Sequence, residues 1–103
     1  MGRIDKFLAR PVEVEIGGEK VMLKPFTVKE LPLLTKLESK NEEIRSKAIQ
    51  EIIKLTMKQI DPSATDEQID NVSVKYLEEI MDAVAKVNNI DMDEAKKQLL
   101  NRQ

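Results

Sequence analysis

A chain of 103 residues holds material for one small domain, which at this size hides roughly 60–70% of its unfolded surface. Apolar residues at 41% and charged residues at 35% set it among globular rather than disordered proteins, while three aromatics and a mean hydropathy of −0.41 require a lean aliphatic core. The lack of cysteine excludes disulfides and thiolate metal sites, and a net charge of −2 argues against the broad basic field that nonspecific nucleic-acid binding needs.

Residues 1–11 contain no apolar run long enough for a secretory signal, and no stretch of the chain has the ~18 consecutive apolar residues of a membrane span. A cytoplasmic protein with no membrane association is the expectation. Ile4, Phe7 and Leu8, interleaved with Arg3, Lys6 and Arg10, have the composition of a short amphipathic anchor. The run is brief for an interfacial helix, so fraying, or packing back onto the core, is the expected state.

Residues 12–24 read as a β-hairpin. A two-residue turn at Gly17-Gly18 sets Val14 opposite Val21, Val12 opposite Leu23 and Glu15 opposite Lys20, which gathers the apolar pairs on one face and the ion pair on the other. Val12, Val14, Val21 and Leu23 are therefore expected to pack on the helices that follow. Pro25 ends the second strand, and Thr27 with Glu30 forms a capping box, with Phe26 and Leu31 spaced as a hydrophobic staple. Pro32 falls near the start of the next helix and predicts that it is short or kinked, with a break over residues 39–41.

Residues 28–103 read as helical. The longest periodic run is 42–60, where Ile44, Ala48, Ile49, Ile52, Ile53, Leu55, Met57 and Ile60 cover an arc of about 220° at 100° per residue. A loop at Asp61-Pro62 leads to a short helix capped by Thr65 and Gln68, and Ser73 caps a helix reaching Asn88. On that helix Val74, Tyr76, Leu77, Ile80, Met81, Ala83, Val84, Ala85 and Val87 cover about 200°. Asp91 and Glu94 predict one more cap, opening a final amphipathic turn or two. The fold class that follows is α+β, predominantly helical, with a two-stranded antiparallel hairpin on a bundle of about four to five helices. Ile49, Ile52, Ile53, Leu77, Ile80 and Val84 are the expected helical core.

Side-chain chemistry points away from catalysis. There is no histidine or cysteine, and the one Gly-Gly is used in a hairpin turn rather than before a helix where it would cradle phosphate. Adjacent acids such as Glu42-Glu43 and Glu78-Glu79 diverge on a helix and read as solvated faces. Residues 89–94, Asn-Ile-Asp-Met-Asp-Glu, place oxygen ligands as a calcium loop does, but Glu94 stands where glycine is needed and Leu100 where the bidentate glutamate belongs. No enzyme activity, metal, cofactor or small-molecule substrate is expected. Residues 61–94 carry ten acids and two lysines; half of the acids fall at predicted helix starts, where the macrodipole favours them.

Each apolar arc is wider than the ~100° stripe of a helix covered on one face. The simpler reading wedges both long helices between neighbours, with the hairpin as a lid. The other leaves part of each arc exposed for a partner helix, with Met57 and Met81 as adaptable contacts and Tyr76 at a polar rim. The same arcs and the unpaired hairpin edges make a homo-oligomer a further expectation.

The order of parts resembles the small tail assembly chaperones of tailed bacteriophages and prophages. The likeness lies in a strand, a glycine turn, the strand-to-helix run VMLKPFTVKEL, a long aliphatic helix and the late helix SVKYLEEIMDAVAKVNNID, and it covers most of residues 12–92. It implies a protein that binds the long, largely helical tape-measure protein in the host cytoplasm before the tail tube polymerises, with no catalytic residues to carry over. A structural virion protein, such as a head–tail connector or tail-completion subunit, shares the size, acidity and lack of catalytic groups and is the alternative. A DNA-binding role fits less well, because Glu78, Glu79 and Asp82 on the late helix would repel phosphate.

Overall fold

The computed structural model describes residues 2–89. Strands β1 (Val12–Ile16) and β2 (Glu19–Leu23) pair antiparallel, with Val12 opposite Leu23, Val14 opposite Val21 and Glu15 opposite Lys20. Gly17 and Gly18 have φ of 60° and 79°, the left-handed pair that a two-residue hairpin turn needs to match strand twist. Alternation then buries Val14 and Leu23 and half-buries Ile16 and Val21. Two details depart from the sequence expectation. Val12 stands at the open end of the hairpin and is 38% exposed rather than packed. Lys20 reaches Glu13, at 4.0 Å, rather than its direct neighbour Glu15, the diagonal choice that a twisted two-stranded ribbon brings within reach of a long side chain.

Beyond Pro25, Thr27 and Glu30 close their capping box on a single 3-10 turn, Val28–Glu30, which runs into α1 (Leu31–Leu37). The Thr27 hydroxyl donates to the Glu30 carboxylate at 2.7 Å. Pro32 occupies the first turn of α1, where a missing donor is harmless, and the helix is short as expected. Phe26 packs against the core, but Leu31 is 57% exposed, so the predicted staple does not bury its second member. Asn41 caps α2 (Glu42–Ile60) by accepting from the Glu43 and Ile44 amides. Asp61 turns the chain by accepting from both the amide and the hydroxyl of Ser63, contacts that lower its pKa, and Thr65 with Gln68 caps α3 (Asp66–Asp70). Ser73 caps a 3-10 turn, Val74–Tyr76, that continues as α4 (Leu77–Asn88), closed by Asn89 in the left-handed conformation.

The result is a predominantly helical α+β fold with one hairpin and, among the described residues, four α-helices. The main core is Ile49, Ile52 and Ile53 of α2, Ile69 of α3, and Ile80, Met81 and Val84 of α4. A second cluster joins Val14 and Leu23 of the hairpin to Ala83 and Val87 of α4, and the half-buried Ile16 packs on both. Thus β1 lies on α4 and β2 on α2. Leu77 is half-buried at the margin of the core rather than inside it. Thr56, the one buried polar residue among the described residues, donates its hydroxyl to the Ile52 carbonyl at 2.8 Å, which removes the cost of an unpaired group.

Among the described residues, three helix side chains accept hydrogen bonds that fasten the hairpin and its exit. Glu79 accepts the Gly17 amide at 2.6 Å, Gln59 accepts the Lys24 amide at 2.7 Å, and Asn88 accepts the Phe26 amide. Each takes up a backbone donor that the two-stranded sheet leaves unused. The cap at Asp91 and Glu94, the calcium-like string apart from Asn89, and the basic end at 95–103 lie outside the described residues.

Candidate functional site

An open hollow on the surface runs between α2, α3 and the start of α4, with a volume of about 650 Å³. Ile49 and Ile53 come from α2, Ile69 from α3, Leu77 from α4 and Val74 from the 3-10 turn before it. Ser46, Gln50 and Asp70 supply its polar lining. Ile49, Ile53 and Ile69 are buried members of the core that show only their edges here, whereas Val74 is 71% exposed. The groove is therefore a rigid apolar floor with one protruding apolar wall.

Its shape has a local cause. At 100° per residue Val74 falls on the same face as Met81, but the turn that carries it is 3-10, with about three residues per turn, so the side chain rotates off the α4 stripe. The α2 wall sits where the apolar arc meets the polar face, between Ile49 and Ile53 on one side and Ser46 and Gln50 on the other. Opposite it, α3 is held on α2 by Asp66, whose two carboxylate oxygens meet Lys54 at 3.1 Å and Lys58 at 3.5 Å. The Lys54 contact is the chief reason the Asp66 pKa is lowered and the Lys54 pKa raised.

The three residues expected to contact a partner are not brought together. Met81 is 0% exposed, in the centre of the main core, so it is corrected from surface contact to packing residue: α2 and the hairpin cover α4 from two sides and leave no exposed flank there. Met57 is half-buried against the same core and does not line the groove. Tyr76 is 37% exposed, with its ring under the hairpin turn: Cε1 lies 3.4 Å from where a β-carbon on Gly17 would sit, and the Lys75 ammonium stands 4.9 Å from the ring centroid. Tyr76 thus props the turn. The residues that sequence reasoning missed as a site are Val74, Ser46, Gln50 and Asp70. Their signal was position at the edge of an arc, which outweighs residue type.

Two smaller hollows flank other elements. One, of about 390 Å³, lies between α1 and α2 over Leu33, Ala48 and Leu55 with Lys36, Lys47 and Glu51 beside them. The other, of about 340 Å³, lies beside the hairpin turn, where Glu15, Glu79, Asp82 and Lys86 make it polar. Neither has the continuous apolar floor of the α2–α3–α4 groove.

Comparison with protein-family models, with curated proteins and with solved structures finds no match for this chain. Among the described residues no helix is long and apolar enough to cross a membrane.

Proposed function

We propose that this protein is a phage tail assembly chaperone that holds a helical segment of a tape-measure protein in the α2–α3–α4 groove. The observation that carries the reading is the groove itself: an apolar floor of Ile49, Ile53 and Ile69 beside an exposed Val74, flanked by Ser46, Gln50 and Asp70. An amphipathic helix recognised through residues at i, i+3, i+4 and i+7 lays such a stripe into such a groove, and its polar flanks meet the polar lining. The strand–turn–strand–helix order supports the same reading through its resemblance to that family. Contact is thereby reassigned from Met57, Met81 and Tyr76 to Val74, Leu77, Gln50 and Asp70.

The test is co-expression with a tape-measure protein, the long helical product that this reading requires among the neighbouring genes. The expected result is a soluble complex that Val74→Asp abolishes while the variant itself stays folded. If the long protein remains insoluble, and this chain is instead recovered in purified particles, the chaperone reading gives way to a virion component.

A further inference from the structure

Among the described residues, two uncovered apolar surfaces are complementary. One is the groove. The other is the amino-terminal arm, where Ile4, Phe7 and Leu8 are exposed around a 3-10 helix, Arg3–Phe7, that has no buried residue. We infer that the arm of a second copy docks in the groove, and that two copies exchange arms reciprocally.

Charge and size both fit. Residues 1–11 carry Arg3, Lys6 and Arg10 against Asp5, whereas residues 61–89, which supply two of the three groove walls, carry seven acids against Lys75 and Lys86. Asp70 stands in the groove lining itself. A groove of about 650 Å³ suits a few large side chains, inside the ~300–1,000 Å³ range of small-ligand sites. Ile4, Phe7 and Leu8 of each arm, more than half exposed, hide ~300–450 Å² of arm, and the groove adds less because its isoleucine floor is already buried. Two exchanged arms then bury ~600–900 Å² of arm together with the lining they cover, the size of a weak, reversible interface.

The arm belongs to a second copy because its own tether is short. The Gly17 turn lies by Tyr76 and Glu79 at the start of α4 and Val14 packs with Ala83 and Val87 near its end, so Val12, two residues further back at ~3.3 Å each, stands roughly 16–22 Å along α4 from Leu77, where the groove opens. Only Ala9, Arg10 and Pro11 separate Leu8 from β1, and four extended steps reach about 14 Å. A partner's arm has no such limit. This docking rests on the arm and the groove alone and does not need the chaperone reading; where both hold, arm and client compete for one site.

The test uses the full chain in sedimentation velocity from about 1 to 100 µM, a span that resolves a weak, reversible dimer. A dimer is expected, weakened about tenfold or more by Phe7→Asp and by Val74→Asp, each at a position more than 70% exposed and so compatible with a folded chain checked by circular dichroism. Mixing the two variants should restore part of the association, since one keeps its groove and the other its arm. Because the chain has no cysteine, mixing Phe7→Cys with Val74→Cys under mild oxidation should also give a mixed disulfide. A monomer throughout, a dimer indifferent to both aspartates, or no mixed disulfide overturns the inference. A dimer that ignores a client overturns only the chaperone reading, and a monomer that captures one overturns only the arm exchange.

Discussion

The side chain of Asn88 ties the end of α4 to the strand–helix junction at Phe26: its oxygen accepts the Phe26 amide, while its nitrogen donates to the Val84 carbonyl at 2.8 Å. One half-buried amide thus closes the last turn of α4 and fixes where the chain leaves the hairpin. Asn88→Ala leaves the Phe26 amide without this partner and should cost about 1–3 kcal/mol by urea denaturation. Asn88→Asp keeps the acceptor but loses the donor and puts an anion at a helix carboxyl end, so it should not restore wild-type stability.

The hairpin turn discriminates between substitutions by backbone conformation. Gly17→Ala and Gly18→Ala each place a β-carbon in the left-handed region and should each cost about 1–2 kcal/mol. The Tyr76 ring, 3.4 Å from a β-carbon at Gly17, is at ordinary contact distance, so the two losses should be similar. Gly17→Asn should be close to neutral, because asparagine is favoured at the first position of this turn. Thermal unfolding of the three variants checks the order.

Much of this architecture was legible because its signals are local. Turn length and side-chain alternation together admit one register for residues 12–23, and that register is the one formed. The caps at Thr27, Thr65 and Ser73 lie within three residues of the groups they satisfy, and Pro32 limits a helix from inside it. What was not legible depends on tertiary placement. Glu79, Gln59 and Asn88 look like surface residues of their helices and gain a role only because hairpin amides pass over them. Periodicity showed that α4 has a wide apolar arc and allowed either a helix wedged under the hairpin or an exposed flank; α2 and the hairpin fill the arc, as the simpler reading has it, and this takes Met81 off the surface. Periodicity could not show that Val74 would turn away from that arc, since this depends on the first turn being 3-10.

Burial orders the core substitutions. Ile52 and Met81 are both completely enclosed, and truncating either to alanine should cost about 2–5 kcal/mol. Leu31→Ala and Val28→Ala, at exposed positions near α1, should stay within about 0.5 kcal/mol of wild type. Met81→Leu, which keeps the volume, should cost less than about 1.5 kcal/mol. Chemical denaturation ranks the set, and a Met81→Ala loss as small as that of Leu31→Ala would return Met81 to the surface.

The clamp between α2 and α3 should respond to pH in a direction set by its shifts. Lys54, hydrogen-bonded to Asp66, is the main cause of the lowered Asp66 pKa, with Lys58 adding to it. A carboxyl with a depressed folded-state pKa contributes stability that is complete above its unfolded pKa and is lost as pH falls through the folded one. The raised pKa of Lys54 works in the opposite direction: its contribution is complete below the ordinary lysine value and disappears as pH rises through the higher folded value. Hold on α3 should therefore be flat through neutral pH, loosen on the acid side below the usual aspartate range, and loosen again in strong base. Both partners are well exposed, so the effect is modest and shrinks with added salt. Amide exchange in residues 66–70 is the readout: protection there should fall in acid before that of Ile52 and Ile80, and Asp66→Asn should abolish the acid step while leaving those core amides unchanged.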